Sequence, residues 1–432
     1  MSISGWGKYP QEECNTLGYK SETSLEKLIA EKKELIPRGN GRSYGDSALS
    51  KNIINVKPHD YFINFDSTTG VLHVQAGVLL AEIINNFVSK GWFLKITPGT
   101  KLITVGGAIA SDVHGKNHHV EGCFSECVVD FRLMLPNGEI VNCNKQENGE
   151  LFKATCGGMG LTGVILDAKI SLKKINSKYI NQTTIKTNNL KETFAAFEQY
   201  KNQPYSVAWI DCQAREENLG RCLLMVGDFC DDGQLNYKAK RNINIPINFP
   251  TFALNSLTVK LFNWLYYGKA KNGVSKQKVD IDSFFYPLDS IDNWNRIYGK
   301  NGFVQYQFII PKEKSFSGLE EILNTISASG KGSFLAVLKL YGKANDNYLS
   351  FPIEGYSLAL DFKIENGLFP LLEKLDEIVI KHEGRLYLAK DSRVTQKVFE
   401  QGYPNIDKFR VLRKEYKMDE VFNSIQSKRV GI

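Results

Sequence analysis

Pro37-Arg-Gly-Asn-Gly-Arg-Ser-Tyr-Gly-Asp46 places three glycines within seven residues, with arginines at 38 and 42. Glycines so spaced let successive backbone N–H groups turn inward together, and a concave nest of that kind binds phosphate oxygens. The stretch follows a helical pattern over Ser24–Glu34. It lacks the Gly-Lys-Ser/Thr of a Walker A loop, and no strand-to-helix unit frames it as a GxGxxG fingerprint requires. It reads as a pyrophosphate loop, with a glycine-rich turn that binds nothing as the alternative.

Two more glycine clusters lie downstream. Thr97-Pro-Gly-Thr100 is followed by Thr104-Val-Gly-Gly-Ala-Ile-Ala-Ser-Asp-Val-His-Gly-Lys-Asn-His-His119, and then comes Gly157-Gly-Met-Gly-Leu-Thr-Gly163. Small residues over Gly106–Ser111 allow a flat ligand to lie against the backbone, and His114 and Lys116 bring polar groups to its edge. Three backbone-approach sites suit an extended ligand, a dinucleotide better than a mononucleotide. His114, His118 and His119 lack the acidic or cysteine partner of a metal set, so no metal is expected.

Around these clusters the first 175 residues predict short strands at Ile53–Val56, Phe62–Phe65, Val71–Gln75 and Val128–Leu135, with a helix over Leu79–Val88. Beyond 175 the elements lengthen: helices over Leu190–Tyr200 and Phe316–Ser329, strands over Ser206–Asp211 and Phe303–Ile310. A strand at Arg385–Ala389 and two helical stretches complete the chain. The expectation is an α+β chain of two domains, since 432 residues is near three times the usual domain length.

Composition narrows the function classes. No run of eighteen apolar residues and no apolar stretch behind the first charges is present, so neither a membrane span nor a signal peptide is expected. The net charge of +7 is mild, and the densest basic run, Lys269–Lys278, is interrupted by Gly, Val and Ser. That argues against nucleic acid and leaves an anionic small substrate or lipid headgroup open. Eight cysteines without a CxxC pair read as reduced, packed thiols of a cytosolic protein. Residues 249–267 carry Leu254, Leu257, Leu261 and Leu265 at helical spacing, with Lys269, Lys271, Lys276 and Lys278 beyond. Such a helix either packs into the core or lies on an anionic bilayer at a lipid-shaped cleft.

Longer strings carry a resemblance: Gly5-Trp-Gly7, Gly41-Arg-Ser-Tyr-Gly-Asp46, Thr104-Val-Gly-Gly-Ala-Ile-Ala110, His114-Gly-Lys-Asn-His-His119, Gly160-Leu-Thr-Gly163, Tyr286-Pro-Leu-Asp289, Trp294-Asn-Arg296, Gln305-Tyr-Gln-Phe308, Leu349-Ser-Phe-Pro-Ile353 and Ala389-Lys-Asp-Ser-Arg393. Over nearly its whole length the chain resembles the vanillyl-alcohol oxidase (p-cresol methylhydroxylase) type of flavoprotein, and within it the decaprenylphosphoryl-β-D-ribose 2′-oxidase family. The resemblance implies a PCMH-type FAD-binding domain over 1–175, a substrate-binding domain with an antiparallel sheet over 176–384, and a C-terminal return to the FAD domain over 385–432.

It further implies that FAD lies along Pro37, Arg38, Gly39, Asn40, Gly41, Arg42, Ser43, Tyr44, Gly45, Asp46 and Ser47. The cofactor would continue along Gly99, Thr100, Thr104, Val105, Gly106, Gly107, Ser111, Asp112, Val113 and His114, and against Gly160, Ile165 and Tyr387. Covalent members carry His where Arg42 stands, so the FAD is expected to be noncovalent.

Alcohol oxidation needs a group that takes the hydroxyl proton. On the residues alone Lys390 reads as a surface lysine paired with Asp391; the resemblance makes it the base, with His114, Tyr44 and Lys116 beside it. Lys339 interrupts an apolar strand and needs either an internal ion pair or a substrate phosphate. Trp209, Trp294, Gln305, Gln307, Lys339, Ser357 and Ala359 would line the sugar site, with core packing the alternative for the two tryptophans.

Three positions depart from the family pattern. Ala359 stands where a cysteine is expected, so inhibitors that capture that thiol should fail; Ser357 replaces Asn, and Phe285-Tyr286 replaces Tyr-His. The function implied is oxidation of the 2′-hydroxyl of a polyprenyl-phosphate pentose to a ketone. An NAD(P)H-dependent short-chain reductase would complete a 2′-epimerisation for an arabinan-type envelope polysaccharide, and the enzyme would be cytoplasmic with peripheral contact at the inner membrane face. A soluble aldonolactone or alditol oxidase is the alternative, and a flavin-bound scaffold that recruits a reductase is a third.

Overall fold

The computed structural model describes residues 2–239, 241–250, 254–333 and 335–432. Two sheets dominate it. The first runs Ile140–Cys143, Val128–Met134, Val164–Lys174, Val71–Gln75, Phe62–Asp66, all antiparallel, with Trp92–Leu94 paired to the far end of Val164–Lys174. Val71–Gln75 alternates as a half-buried strand should, Leu72 and Val74 inward. The helix Leu80–Phe87 buries Leu80, Ile83, Ile84 and Phe87, one stripe at 3.6-residue spacing.

Beside this sheet lies a small parallel one, Asn15–Leu17, Asn52–Asn55 and Leu35–Arg38. Leu35–Arg38 delivers the glycine loop. The C-terminus packs here too: Leu35 N–H donates to Val421 and Asn423 N–H to Leu35. Arg429 donates to the carboxylates of Asp46 and Asp391 at 2.8 and 2.9 Å, so one half-buried guanidinium ties the glycine loop to the turn that carries Lys390.

The second sheet has eight antiparallel strands in the order Val274–Asp280, Tyr179–Thr187, Cys222–Phe229, Tyr205–Ile210, Ala336–Tyr341, Gly355–Lys363, Phe303–Pro311, Arg385–Leu386. Helices Leu190–Gln199, Lys312–Ser329 and Leu368–Lys381 cover one face. The other face looks toward the glycine loops. The chain leaves the first sheet at Lys174 and enters the second at Tyr179.

The strand expected at Arg385–Ala389 is paired only over Arg385–Leu386. Lys390 N–H and Asp391 N–H both donate to Tyr387 C=O, which turns the chain away from the sheet. Three helices rather than two follow: Gln396–Gly402, Ile406–Glu415 and Ile425–Val430.

The leucine-rich segment forms the helix Ser256–Lys269, with Asn255 accepting from Leu257 and Thr258 N–H at its start. Residues 251–253 of that segment lie outside the described residues. The helix is inverted relative to a core helix. Its buried positions are Val259 and Asn263, and Asn263 donates to the Asp211 carboxylate at 2.8 Å. Leu257, Leu261, Trp264 and Leu265 face solvent, Leu257 at 76% exposure. No helix among the described residues is long and apolar enough to cross a membrane.

Candidate active site

Strand alternation builds one wall of the site. On Phe303–Pro311 the even positions Val304, Tyr306 and Phe308 are apolar or aromatic and buried, while Gln305 and Gln307 take the other face. The register then sets rows across strands: Trp209 opposite Val337, Val337 opposite Ala359, and Ala359 opposite Gln307. The next row holds Lys339 opposite Ser357, and on the other side Gln305 lies opposite Asp361. A cavity of about 450 Å³ lies between this face and the glycine loops, within the usual size of a cofactor or ligand site.

The opposite wall is backbone. Gly41 adopts φ +62°, and an added Cβ at Gly39 would sit 2.2 Å from Thr104 Oγ1, so neither glycine tolerates a side chain there. Among the described residues, the backbone N–H groups of Asn40, Gly41, Arg42 and Ser43 donate no hydrogen bond. Half-buried and facing the cavity, such amides call for an anionic acceptor. Arg42 lies 3.9 Å over the Trp6 ring, which fixes its guanidinium at the same place. Thr104 caps the short helix Val105–Ala110 by accepting from Gly107 N–H, and the backbone of Gly106 and Gly107 is left open to the cavity. Amides for a pyrophosphate at one end and a flat glycine floor toward Ser111 and His114 fit FAD. When bound, the isoalloxazine supplies a hydride acceptor.

Charge gathers at the far end. Lys116, Lys339 and Lys390 all line the cavity, as does His114. Burial pushes Lys390 down to about 7 and Lys116 to about 7, and Lys339 to about 8. His114 falls well below the usual histidine range through burial and then through Lys339, His118 and Lys390, and its Nδ1 is buried without a partner. Among the described residues Lys339 has no ion pair, and Asp289 is the one carboxylate on the lining. That carboxylate already accepts from Thr100 Oγ1 and Lys101 N–H, both at 2.7 Å.

Lys390 is not the surface residue its sequence neighbours suggest. It lies buried with Nζ 3.8 Å over the Tyr44 ring, while Asp391 is taken by Arg429. Lys116 donates to Phe284 C=O and lies 4.5 Å over that ring. Tyr387 donates to Ser111 C=O at 3.0 Å. Trp294 joins the cavity from a box with Trp6, Tyr298 and Phe303.

The structure brings together most of the residues singled out by sequence: Pro37 to Tyr44, Ser47, Gly99, Thr100, Thr104, Gly106, Gly107, Ser111, Val113, His114, Lys116, Gly160, Ile165, Trp209, Trp294, Gln305, Gln307, Lys339, Ser357, Ala359, Tyr387 and Lys390 all line the cavity. Four expected cofactor residues stand one layer back. Gly45 packs on the Asp391 carbonyl, and Asp46 pairs with Arg429. Val105 is core. Asp112, fully buried, accepts from Ser125 N–H, Asn345, Asn347 and Ser350, clasping the two halves of the chain together.

His118 and His119 are held elsewhere, by Gly342 N–H and Gln203 C=O. Tyr286 points away from the cavity into a 2.6 Å hydrogen bond with Thr97, while Phe285 lines it. Sequence reading missed Trp6, Asp289, Tyr341 and Tyr266. Tyr341 was readable as the next alternate position after Lys339. Tyr266 was not, because it reaches the lining from the helix Ser256–Lys269, 4.9 Å from Trp209.

Ala359 is the partly open residue of an otherwise buried stretch from Gly355 to Phe362, and all eight cysteines are buried outside the lining. Burial holds the Cys123, Cys127 and Cys212 thiols up, in the unreactive protonated form. A pocket-sized thiol alkylator is therefore expected to leave the wild type active and to inactivate Ala359→Cys at least about tenfold faster, the new thiolate being favoured by the lysines around it. Equal inactivation of both proteins would place a reactive native thiol in the site.

Comparison with known proteins agrees with this geometry. Residues 22–144 match the family described as FAD binding domain. Decaprenylphosphoryl-beta-D-ribose oxidase of Mycolicibacterium smegmatis is 35% identical over 100% of this chain and 97% of its own. L-gulonolactone oxidase of Bos taurus is 23% identical over 87% of this chain and 85% of its own, and a putative D-arabinono-1,4-lactone oxidase of Neurospora crassa is 27% identical over 30% and 23%. With a cradle of free amides, a glycine floor and full-length identity of this order, the chain belongs to the decaprenylphosphoryl-β-D-ribose oxidase family and is an FAD-dependent oxidoreductase acting on CH–OH groups.

Proposed function

We propose that the chain oxidises the 2′-hydroxyl of a polyprenyl-phosphate-linked pentose to the 2′-ketone. The product would be reduced on the other face by an NAD(P)H-dependent short-chain reductase, a 2′-epimerisation that yields an arabinofuranosyl-type donor for envelope polysaccharide. The observation that carries this reading is the gathering of Lys116, Lys339 and Lys390 on one cavity that the helix Ser256–Lys269, with its leucines exposed, joins through Tyr266. Three lysines on a lining whose one carboxylate, Asp289, is already bonded leave positive charge for an anionic ligand, which a phosphodiester supplies, and an outward leucine face suits the lipid attached to it.

In the reaction the carbinol hydroxyl gives its proton to the Lys390 amine as the ketone forms; FAD, held by the amide nest of Asn40 to Ser43 and the Gly106–Gly107 floor, would supply the hydride acceptor. Lys390, poised near neutrality, is the acceptor of that proton; Gln305, Gln307 and Tyr387 orient the sugar, and His114 and Lys116 polarise its edge. Trp209 and Trp294 exclude water. Anaerobic flavin bleaching with a panel of prenyl-phosphate sugars tests the reading. Bleaching by prenyl-phosphate pentoses is expected. Bleaching by free aldonolactones or alditols at least as fast would instead favour the lactone oxidase reading that the L-gulonolactone oxidase likeness suggests.

The same reading places the enzyme on the cytoplasmic face of a membrane as a peripheral protein. Leu261 and Trp264 lie on the exposed face with Lys260 and Lys269 beside them. Inserting such side chains releases ~1.5–3 kcal/mol each. The double variant Leu261→Asp, Trp264→Asp should therefore bind phosphatidylglycerol vesicles at least about tenfold more weakly in flotation assays. Equal binding by both proteins would take the helix out of the membrane contact.

A further inference from the structure

The alternation that points Ser357 and Ala359 into the cavity continues to Asp361 on the same face of Gly355–Lys363, yet Asp361 does not reach the lining. It is 1% exposed, beside Gln305, its partner across the strands. A carboxylate in such a place is costly unless its oxygens are occupied. One oxygen accepts from Gln305 Nε2 at 2.6 Å and the other from the Tyr298 hydroxyl at 3.4 Å. Gln305, Tyr44 and Lys390 line the same cavity, with the Lys390 ammonium over the Tyr44 ring. Asp361 thus anchors Gln305, its register partner on the wall that Lys390 also lines, and its charge acts on the amine.

We propose that Asp361 is the positioning residue for Lys390: a carboxylate behind the cavity wall that counters the charge of the amine and fixes Gln305 on that wall. The inference rests on Lys390 being the base.

The groups facing the pair define the balance. Lys390 is lowered by burial, raised by Asp361 and lowered again by Lys339 on the neighbouring strand, and comes to about 7. Asp361 is raised by burial, opposed by Gln305, Lys390 and Tyr298, and also comes to about 7. His114 is pushed down in part by Lys390, and Arg42 and Asp289 act on Tyr44. Asp391, next in sequence, is spent on Arg429. Near neutrality the carboxylate and the amine therefore compete for a proton, and no other carboxylate raises Lys390. Removing the negative charge must lower Lys390 further, by about one pH unit or more for a partner at close range.

Two measurements on the FAD-loaded enzyme read this. The first is the acid limb of the pH profile for anaerobic flavin reduction; the second is the pH midpoint of Lys390 acetylation by acetic anhydride, followed by peptide mass spectrometry. In Asp361→Asn both should move down by about one pH unit or more, and Asp361→Glu should bring both back toward the wild type while keeping a slower plateau. Should Asp361→Asn fail to fold, Gln305→Met removes the 2.6 Å donor and, by making the carboxylate harder to ionise, should move the acetylation midpoint the same way. Midpoints that stay where the wild type has them in folded variants would overturn the proposal. The acetylation midpoint reads the pairing, and the rate of Lys390→Met reads the base assignment, so failure of one is distinguishable from failure of the other.

Discussion

Lys390→Met is expected to slow anaerobic reduction of the flavin by prenyl-phosphate pentose by about 10²–10⁴-fold, the usual contribution of a positioned general base. Methionine keeps the length and apolar stem of the side chain, so the contact with the Tyr44 ring persists and FAD should remain bound, as its visible absorption will report. The sign of the pH dependence follows from burial. An amine accepts a proton only when neutral, and with Lys390 held down to about 7 the wild-type rate should climb as pH rises through that value and then level off. In Lys390→Met this limb should vanish. A variant within a few-fold of the wild type, still showing the limb, would move the base to another group, such as His114, which lines the same cavity and whose Nδ1 has no partner.

How much of this was legible in the sequence depends on the kind of interaction. Glycine loops leave a mark because backbone approach and φ values such as that of Gly41 exclude side chains. On the eight-stranded sheet Lys339 was legible by itself, a cation interrupting an apolar strand, whereas Gln305, Gln307 and Ser357 came from the resemblance, and it is the structure that sets them at alternate positions facing the cavity.

What periodicity cannot say is which side of an amphipathic helix faces inward. Ser256–Lys269 has its leucines at helical spacing, and the structure turns them out because Asn263 is bonded to Asp211 beneath. Nor does sequence show pairings across the register. Gln305 and Asp361 are 56 residues apart, and Asp46 and Arg429 are 383 apart. Asp46 and Asp112, which the resemblance sets along the cofactor, stand behind the lining and hold the glycine-rich strings in place through Arg429 and through Asn345, Asn347 and Ser350.

Gly45→Ala isolates that supporting layer. A Cβ on Gly45 would lie 1.7 Å from the Asp391 carbonyl oxygen and 2.5 Å from its carbon, inside any allowed contact and against backbone. Neither chain can retreat. Tyr44 N–H donates to Ala389 C=O at 3.0 Å, and Asp391 is fixed by its own N–H to Tyr387 and by Arg429, Arg393 N–H and Val394 N–H on its carboxylate. One methyl group must therefore separate the glycine loop from the turn that carries Lys390.

The expected cost is at least about 3 kcal/mol, the upper end for overpacking because the obstacle is backbone on both sides. The same displacement spoils the amide nest and lifts Lys390 from the Tyr44 ring, so FAD retention should fall with the unfolding temperature, both read on one sample by flavin absorption and thermal scanning. Gly18→Ala is the control, since nothing lies within 4 Å of its Cβ position and it should unfold like the wild type. A Gly45→Ala protein that keeps its flavin and its unfolding temperature would mean that the two loops are free to part, and that the placement of Lys390 does not depend on the closeness of residues 45 and 391.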